Sequence, residues 1–326
     1  MLDGTDELET GRASRLVWGA ILGLLAICLL AVPFTQVTIE PLPFMAPLAI
    51  GLALAGAGRY YGTRRSEPKI ACAFDCVGQS LVFPLATALA SYLVVTMGFP
   101  MQDSAFHQLD LALGLDWLAW LAWLDRHAWL APPLTFAYKT YMHQGLVLTL
   151  LLCFCGRGIA ARIMILAMII SGIATVALSG LLPAVSIFEY LKLTPADYPN
   201  LRPAAGLVHL PDVLALHSGE AFVFDTTRTH GIITFPSYHA ALGLIMLLAA
   251  WSHPLLRWPF FVLNVAMIVA TPIDGGHYFV DVFAGLAIAG TAHVVARRML
   301  SPRPAEAYAP RPIGQAQVFG KVFAKT

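Results

Sequence analysis

The chain has 326 residues, of which 58% are hydrophobic and only 12% are charged. Soluble domains have about a quarter of their residues charged, so this composition excludes an ordinary soluble protein. The formal net charge is +1 at pH 7, which gives no indication of nucleic-acid binding. Apolar runs of about 17–25 residues, long enough to cross a bilayer, recur along the chain. The sequence therefore predicts an all-α, polytopic membrane helical bundle.

The predicted elements, taken in chain order, give about eight membrane-spanning helices. Residues 1–15 are polar and are predicted to be a disordered N-terminus, and residues 16–131 contain the first three spans. Residues 132–299 contain the other five, and the proline-rich residues 300–326 are predicted to be a disordered tail. The predicted spans are Leu16–Val32, Leu42–Gly58, Val77–Phe99, Leu134–Phe154, Ile159–Leu182, Tyr238–Trp251, Trp258–Ile273 and Tyr278–Ala296.

Residues 103–131 interrupt the pattern of spans. Aspartates recur among their apolar residues, so a straightforward crossing of the membrane is not expected. Four tryptophans in this segment predict a helix that lies in the membrane interface, with its rings at headgroup depth. We interpret these tryptophans as a membrane anchor rather than a substrate cage. They are Trp117, Trp120, Trp123 and Trp129.

The distribution of lysine and arginine predicts the orientation of the chain. If the N-terminus is cytoplasmic, alternate connections between the spans are rich in basic residues, as the positive-inside rule requires. The densest cluster is Arg59, Arg64, Arg65 and Lys69. Eight spans then place both termini in the cytoplasm and the long 183–235 loop on the outer side. We expect a multi-pass protein of a plasma membrane or a bacterial inner membrane, with the active site facing the periplasm or exterior.

Two short motifs stand where polar loops run into apolar segments, residues 234–240 (TFPSYHA) and 275–281 (GGHYFVD). Each places a histidine, His239 or His277, near a helix start on the predicted outer side. The unpaired N–H groups of a helix start suit a phosphate. Asp281 follows His277 by four residues, so its carboxylate can fix the imidazole tautomer. Such a pair alone is often only a local hydrogen bond, but both motifs on one face favour a phosphoryl-transfer site.

Residues 236–239 (PSYH) and 277–281 (HYFVD) resemble the second and third signature motifs of the type-2 phosphatidic acid phosphatase superfamily. The bulky residue before His239 and the HYF run are similar to its inositol phosphorylceramide synthase and sphingomyelin synthase branch. The resemblance covers about residues 134–296 and implies a six-helix lipid phosphatase or phosphotransferase core within residues 132–299. It further implies that His277 attacks phosphorus, Asp281 orients it and His239 protonates the leaving group.

The cations that would bind the phosphate depart from the family pattern. The third motif of the family has a Ser-Arg pair where this chain has Ala270 and Thr271, and the first motif is matched only by Arg202-Pro203. A transferring phosphoryl group needs positive charge around its oxygens. Ser237 is as well explained by capping of a helix as by phosphate contact. The candidate phosphate-binding residues are Ser237, Arg202, Arg228, Lys192 and Lys139.

Three classes of function remain open from the sequence. The first is an enzyme without cofactor or metal that hydrolyses a lipid phosphate or transfers its phosphoryl group to another lipid hydroxyl. Its partners would be the lipid substrate and the surrounding membrane lipids. The second is a transporter with Lys139, His143 and Asp274 as an intramembrane relay. The third is a metal-dependent membrane hydrolase with His239, His277 and Asp281 as ligands.

The five cysteines are interpreted as small apolar fillers. Their spacing does not match a zinc motif, and none lies in a predicted outer loop, so neither a metal site nor a disulfide is expected. The sequence leaves the lipid donor and acceptor and the oligomeric state open.

Overall fold

The fold is a helical bundle with one two-stranded sheet. The computed structural model describes residues 4–205 and 207–301, with side chains from residue 11 onward. The helices are α1 Gly4–Ala31, α2 Pro41–Thr63, α3 Pro68–Val95, α4 Asp103–Ala112, α5 Trp117–Arg126, α6 Ala131–Lys139, α7 Tyr141–Phe154, α8 Gly158–Leu181, α9 Ile187–Tyr190, α10 Leu210–His217, α11 Tyr238–Ala250, α12 Pro254–Asp274 and α13 Phe279–Leu300. The strands are β1 Val37–Ile39 and β2 Phe222–Phe224.

Within the described ranges, 6 helices are long and apolar enough to cross a membrane, namely α1, α2, α3, α8, α12 and α13. The polytopic helical bundle predicted from the sequence is therefore confirmed. The helices α7 and α11 are apolar but contain only 14 and 13 residues. A crossing needs about 20 residues, so the count of eight spans stays a prediction. The helix α6 precedes α7 with a break of one residue at Thr140, and the two together reach that length.

The N-terminal segment differs from its prediction. The helix α1 begins at Gly4, so residues 4–15 are helical and the prediction of disorder is wrong for them. Good helix formers such as Glu and Leu continue the apolar helix toward the N-terminus, and Ala13 and Val17 are buried. Residues 1–3 and the predicted disordered tail from residue 302 lie outside the described residues.

Two helices form the centre of the bundle. In α3 and α8, 61% of the apolar window is buried, against 22% in α1 and 17% in α2. The helices α11 and α13 pack on α8, and α12 packs on α11, with Ala289 and Met267 fully buried in the shared core. The helices α1 and α2 thus lie at the edge of the bundle.

The connections that surround the two motifs meet at one end of the bundle. In the sheet, β1 pairs in parallel with β2, with Val37 opposite Phe222. This pairing joins the α1–α2 connection to the 183–235 loop. Tyr92, near the end of α3, packs against Phe222 and donates a hydrogen bond to Asp212 at 2.9 Å. Because these connections pack on one another, the two motifs are covered by folded protein.

Residues 103–131 fold as two helices that cover this end. Trp117 is completely buried and packs edge-on against Phe188, so its prediction as a membrane anchor is wrong. Gly114 has a φ of +75° and ends α4 in a turn. The next helix, α5, then packs Trp117, Leu121 and Leu124 into the protein core rather than into the membrane interface. Trp129 is 74% exposed, and its prediction as an interfacial residue stays open.

Candidate active site

His277 and Asp281 form a buried pair at the start of α13. Nδ1 of His277 lies 3.3 Å from Oδ2 of Asp281, and the same oxygen accepts the N–H of Tyr278 at 2.9 Å. The two side chains are 3% and 0% exposed, so little water competes for the contact. Because a carboxylate only accepts, Nδ1 holds the proton and Nε2 keeps its lone pair. The pair therefore presents a neutral imidazole with one nitrogen suited to nucleophilic attack.

The N–H groups at the start of α13 are bound by the protein's own carboxylates. Asp110 of α4 accepts the N–H of Phe279 at 2.8 Å and that of Val280 at 2.9 Å, and Asp281 accepts that of Tyr278. The prediction that this helix start offers unpaired N–H groups to a phosphate is wrong for these three groups. Because α4 folds back over the helix, its carboxylate takes the donors that a phosphate would use.

The backbone on each side of His277 is fixed by buried hydrogen bonds. The indole Nε1–H of Trp117 donates to the carbonyl of His277 at 3.1 Å. The hydroxyl of Tyr278 donates to Asp103 at 2.9 Å, and Asp103 also accepts the N–H of Ser186 at 3.2 Å. The segment before α13 is thus bound to α4, α5 and the loop after α8. Such contacts hold an imidazole in one orientation, as a nucleophile requires.

His239 lies at the start of α11, close to the His277–Asp281 pair. Ser237 caps this helix, since its hydroxyl accepts the N–H of Ala240 at 3.3 Å. The N–H of Ser237 donates to the carbonyl of Asp281 at 2.9 Å, which joins the two motifs directly. Gly285 permits this approach, because a Cβ there would lie 2.2 Å from the carbonyl oxygen of Ser237. The structure therefore brings together the two motifs that the sequence placed on one face.

Tyr138 of α6 lies between the two histidines. Its hydroxyl is 3.3 Å from Nδ1 of His239, and the two rings stack with centroids 4.3 Å apart. A Cβ on Gly275 would lie 2.7 Å from this hydroxyl and 2.6 Å from Cδ2 of His277. A positive charge on either histidine would act on the other. Tyr138 thus links the two imidazoles, since it stacks on His239 and meets His277 across Gly275. An attacking group and a protonating group are thereby held near each other.

Burial and neighbouring carboxylates set the electrostatics of the site. Desolvation lowers the pKa of His277 to about 4, although the carbonyl of Thr234 raises it in part. Burial raises the pKa of Asp110, while the N–H groups of Phe279 and Val280 lower it. His277 is therefore neutral at pH 7. The three buried carboxylates Asp103, Asp110 and Asp281 would stabilise positive charge that develops on the ring.

Two of the predicted phosphate-binding cations pair with acids of the 183–235 loop. Lys192 forms an ion pair with Glu189, and its side chain is 75% exposed. Arg228 lies 3.7 Å from Asp225, and its side chain is 87% exposed. Their roles in phosphate binding stay predictions, and these contacts leave both side chains at the surface.

The other two cations belong to segments that contact Asp274, next to the motif of His277. Arg202 donates to the carbonyls of Pro199 and Leu201 at 2.9 and 2.6 Å. Two residues later, the N–H of Ala204 donates to Asp274 at 3.0 Å, directly before residues 275–281. Lys139 follows Tyr138 directly, and its charge acts on Asp274. These positions make Lys139 and Arg202 the better placed of the four.

Sequence reasoning missed several residues of this site. Asp103, Asp110 and Trp117 were placed at the membrane interface, yet they bind the segment of His277. The sequence signal that could have identified them is aspartate within an apolar stretch, because a buried carboxylate needs hydrogen-bond partners. His209 is buried, its Nε2–H donates to the carbonyl of Val185 at 2.8 Å, and its Nδ1 has no partner among the described residues. Burial lowers the pKa of His209, and a positive charge on His277 would lower it further.

Comparison with known proteins identifies a family for most of this region. A family model described as the PAP2 superfamily matches residues 104–295. The match begins at α4, and so includes the helices that bind the segment of His277, and it ends within α13. No curated protein matches the chain, and no solved structure does.

Proposed function

This chain belongs to the PAP2 superfamily, and we propose that it transfers the phosphoryl group of a membrane lipid phosphate ester through a phosphohistidine at His277. Membership suggests a phosphatase-type function, since members of the superfamily are generally phosphatases or phosphotransferases. The observation that supports the proposal most strongly is the buried His277–Asp281 pair, which Tyr138 links to His239.

In the proposed reaction, the lone pair on Nε2 of His277 attacks phosphorus as the bond to the lipid oxygen breaks. His239 donates a proton to that oxygen, so the lipid leaves as a neutral alcohol. The N–P bond leaves positive charge on the ring of His277, which Asp281 stabilises. A water molecule or an acceptor hydroxyl then attacks phosphorus, gives up its proton to His239 and restores His277.

The phosphate oxygens are proposed to be bound by side chains near residues 275–281. Lys139 and Arg202 are the first candidates, because Lys139 and the backbone two residues after Arg202 lie beside Asp274. The other candidates are Arg228, Lys192 and Ser237. His209 lies beside His277 with Nδ1 unpartnered among the described residues. Because the Nε2–H of His209 donates to a carbonyl, Nδ1 of the neutral ring has a free lone pair. This lone pair can accept a hydrogen bond from a protonated phosphate oxygen.

The acceptor is proposed to be a lipid or polyol hydroxyl, as in the inositol phosphorylceramide synthase and sphingomyelin synthase branch. The support is the resemblance of residues 236–239 (PSYH) and 277–281 (HYFVD) to that branch. Tyr238 is the bulky residue of the 236–239 motif, and its hydroxyl donates to the carbonyl of Met168 at 3.0 Å. Transfer requires that the acceptor reaches the phosphohistidine before water does.

The site is proposed to face the periplasm or exterior, with both termini in the cytoplasm of a bacterial inner membrane. The basic connections at the opposite end of the helices support this orientation through the positive-inside rule. They contain Arg59, Arg64, Arg65, Lys69, Arg157 and Arg257.

The two rival functions fit the contacts less well. In the transporter hypothesis, Asp274 would relay charge, but it accepts hydrogen bonds from the hydroxyl of Thr135 and the N–H of Ala204. Lys139 and His143 are exposed and lie at the same end of the bundle, which gives no path across the membrane. In the metal hypothesis, His239, His277 and Asp281 are the ligands, but His239 contacts Tyr138 and Asp281 already accepts the N–H of Tyr278.

One assay separates these functions. Purified protein in detergent is given a panel of phosphatidic acid, prenyl phosphates and phosphoinositides, with and without ceramide, and both released phosphate and new lipids are measured. We expect turnover that survives strong chelation. New phospholipid that forms only with ceramide would identify a transferase. Activity that chelation abolishes and a divalent ion restores would support the metal hydrolase instead.

A labelling experiment tests the orientation. Cys155 is the exposed native cysteine among the described residues and lies at the end opposite the site. Glu220→Cys, in a Cys155→Ser background, introduces a thiol beside β2 at the other end. We expect an impermeant maleimide to label this introduced thiol in intact cells, and to label Cys155 of the wild-type chain only after lysis. The reverse pattern would contradict the proposed outer site.

A further inference from the structure

Three cysteines meet at the end of the bundle opposite the candidate active site. Cys72 and Cys76 are one turn apart on α3, and Cys153 lies near the end of α7. Sγ of Cys72 is 3.3 Å from that of Cys153 and 3.9 Å from that of Cys76, and all three sulfurs lie within 4.8 Å of one another. Their exposures are 7%, 0% and 1%. The sequence spacing gave no sign of this cluster, because Cys153 comes from a different helix.

The surroundings of this cluster differ from those of apolar fillers. The guanidinium of Arg162, itself buried, lies close enough for its charge to act on all three thiols. Arg162 pairs with Asp75 at 2.5 Å, while its Nε has no hydrogen-bond partner among the described residues. A buried cation of this kind offsets the negative charge of thiolates, the form of cysteine that binds metals.

The spacing of the sulfurs fits one metal ion. A soft ion with metal–sulfur bonds of about 2.3 Å separates its sulfur ligands by about 3.8 Å in tetrahedral geometry. The measured separations of 3.3 and 3.9 Å bracket that value. Three thiolates select zinc, copper(I) or similar ions over the harder magnesium and calcium. The carboxylate of Asp75 already accepts hydrogen bonds from Trp18 and Gln79, so the thiols are the donors left for an ion.

We propose that Cys72, Cys76 and Cys153 bind one soft, thiolate-preferring cation of the zinc or copper(I) class. The ion joins α3 to α7, two elements that are 81 residues apart at this point. Because an ion that binds only the folded chain stabilises it, metal loading raises the midpoint of thermal unfolding. The site is structural and lies away from His239 and His277, so it is independent of the proposed phosphoryl transfer.

Metal content provides the test. The full chain is purified without chelator from cells grown with added zinc or copper, and its metals are counted by mass spectrometry. We expect about one ion per chain in the wild type and less than about a tenth in Cys153→Ser. Cys155→Ser and Cys28→Ser are the matched controls and keep the ion, because Cys155 is exposed and Cys28 lies in another part of the core. The zinc and copper arms identify which ion the site prefers.

Reconstitution of the metal-free wild-type protein tests the site even if a cysteine variant fails to fold. The ion is removed with a chelator under reducing conditions, and cobalt(II) is added back as a spectroscopic probe. Sulfur-to-cobalt charge-transfer absorption and a higher midpoint of thermal unfolding support the site. Wild-type protein that contains no transition metal and gives no such absorption overturns it. A Cys72–Cys153 disulfide in mass spectra of freshly purified protein overturns it as well.

Discussion

Replacement of Asp281 by Asn tests the chemistry of the buried pair most sharply. The carboxylate of Asp281 is 0% exposed and accepts from both Nδ1 of His277 and the N–H of Tyr278. In Asp281→Asn the neutral amide no longer supplies the negative charge that holds the proton on Nδ1 and stabilises positive charge on the ring. Where the amide NH2 takes the place of Oδ2, it faces Nδ1, and His277 takes its proton on Nε2, the nitrogen that attacks phosphorus. The size of the side chain is kept while the charge that fixes the tautomer is removed.

The size of this effect follows from two contributions. Loss of a hydrogen bond to a charged group costs about 1.5–3 kcal/mol, which is roughly 10–150-fold in rate. Reversal of the tautomer in a comparable buried His–Asp pair lowers kcat about 10⁴-fold. We therefore expect kcat to fall roughly 10²–10⁴-fold while KM changes little, because the interaction matters mainly in the transition state.

The assay measures phosphate released from a lipid phosphate in detergent micelles, with thermal unfolding as a check on the fold. Asp212→Asn is the matched control, since Asp212 also contacts a histidine, His230, at 3.5 Å but at the surface. We expect Asp212→Asn to stay within about twofold of wild type. Equal kcat in Asp281→Asn and Asp212→Asn would refute the role of Asp281.

Three further predictions concern the same site. His239→Ala should fold and lower the rate roughly 10²–10⁴-fold on a lipid phosphate, but much less on an aryl phosphate; equal losses would argue against a leaving-group role. Burial lowers the pKa of His277 from 6.5 to about 4, so its stabilising contribution is present above pH 6.5 and is lost as the pH falls toward 4. The midpoint of thermal unfolding should fall over that window in wild type and less in His277→Gln, and parallel curves would contradict the assignment. Asp110→Ala leaves the N–H groups of Phe279 and Val280 unpaired, and we expect it to destabilise the fold by about 1–2 kcal/mol, measured by denaturation in detergent. Asp116→Ala removes a solvent-exposed cap of α5 and should cost less.

The general architecture could be predicted because each apolar run has a length set by the bilayer. The predicted span Ile159–Leu182 corresponds to α8, Gly158–Leu181, and the predicted span Tyr238–Trp251 to α11, Tyr238–Ala250. The order of the motifs likewise gave the neighbourhood of His239 and His277. Hydrophobicity and short motifs are local properties, so they are visible in a single sequence.

The remainder of the site depends on contacts between distant segments. Asp110 binds the start of α13 across 169 residues, and Trp117 binds the carbonyl of His277 across 160 residues. From the sequence alone, Trp117 was predicted to lie in the membrane interface. Tryptophan is common both at membrane interfaces and in buried cores, so the residue type does not distinguish the two. The thiols of Cys72 and Cys153 approach each other for the same reason, because helix packing decides their distance.

The covalent intermediate is the most direct test of the central proposal. Wild-type protein in detergent is mixed with ³²P-labelled lipid phosphate, quenched within the first turnover and digested for mass spectrometry. We expect acid-labile, base-stable phosphate on His277 of the wild type, and none in His277→Gln. Wild-type protein that turns over substrate without this adduct, and loses its activity in chelator, would contradict the account.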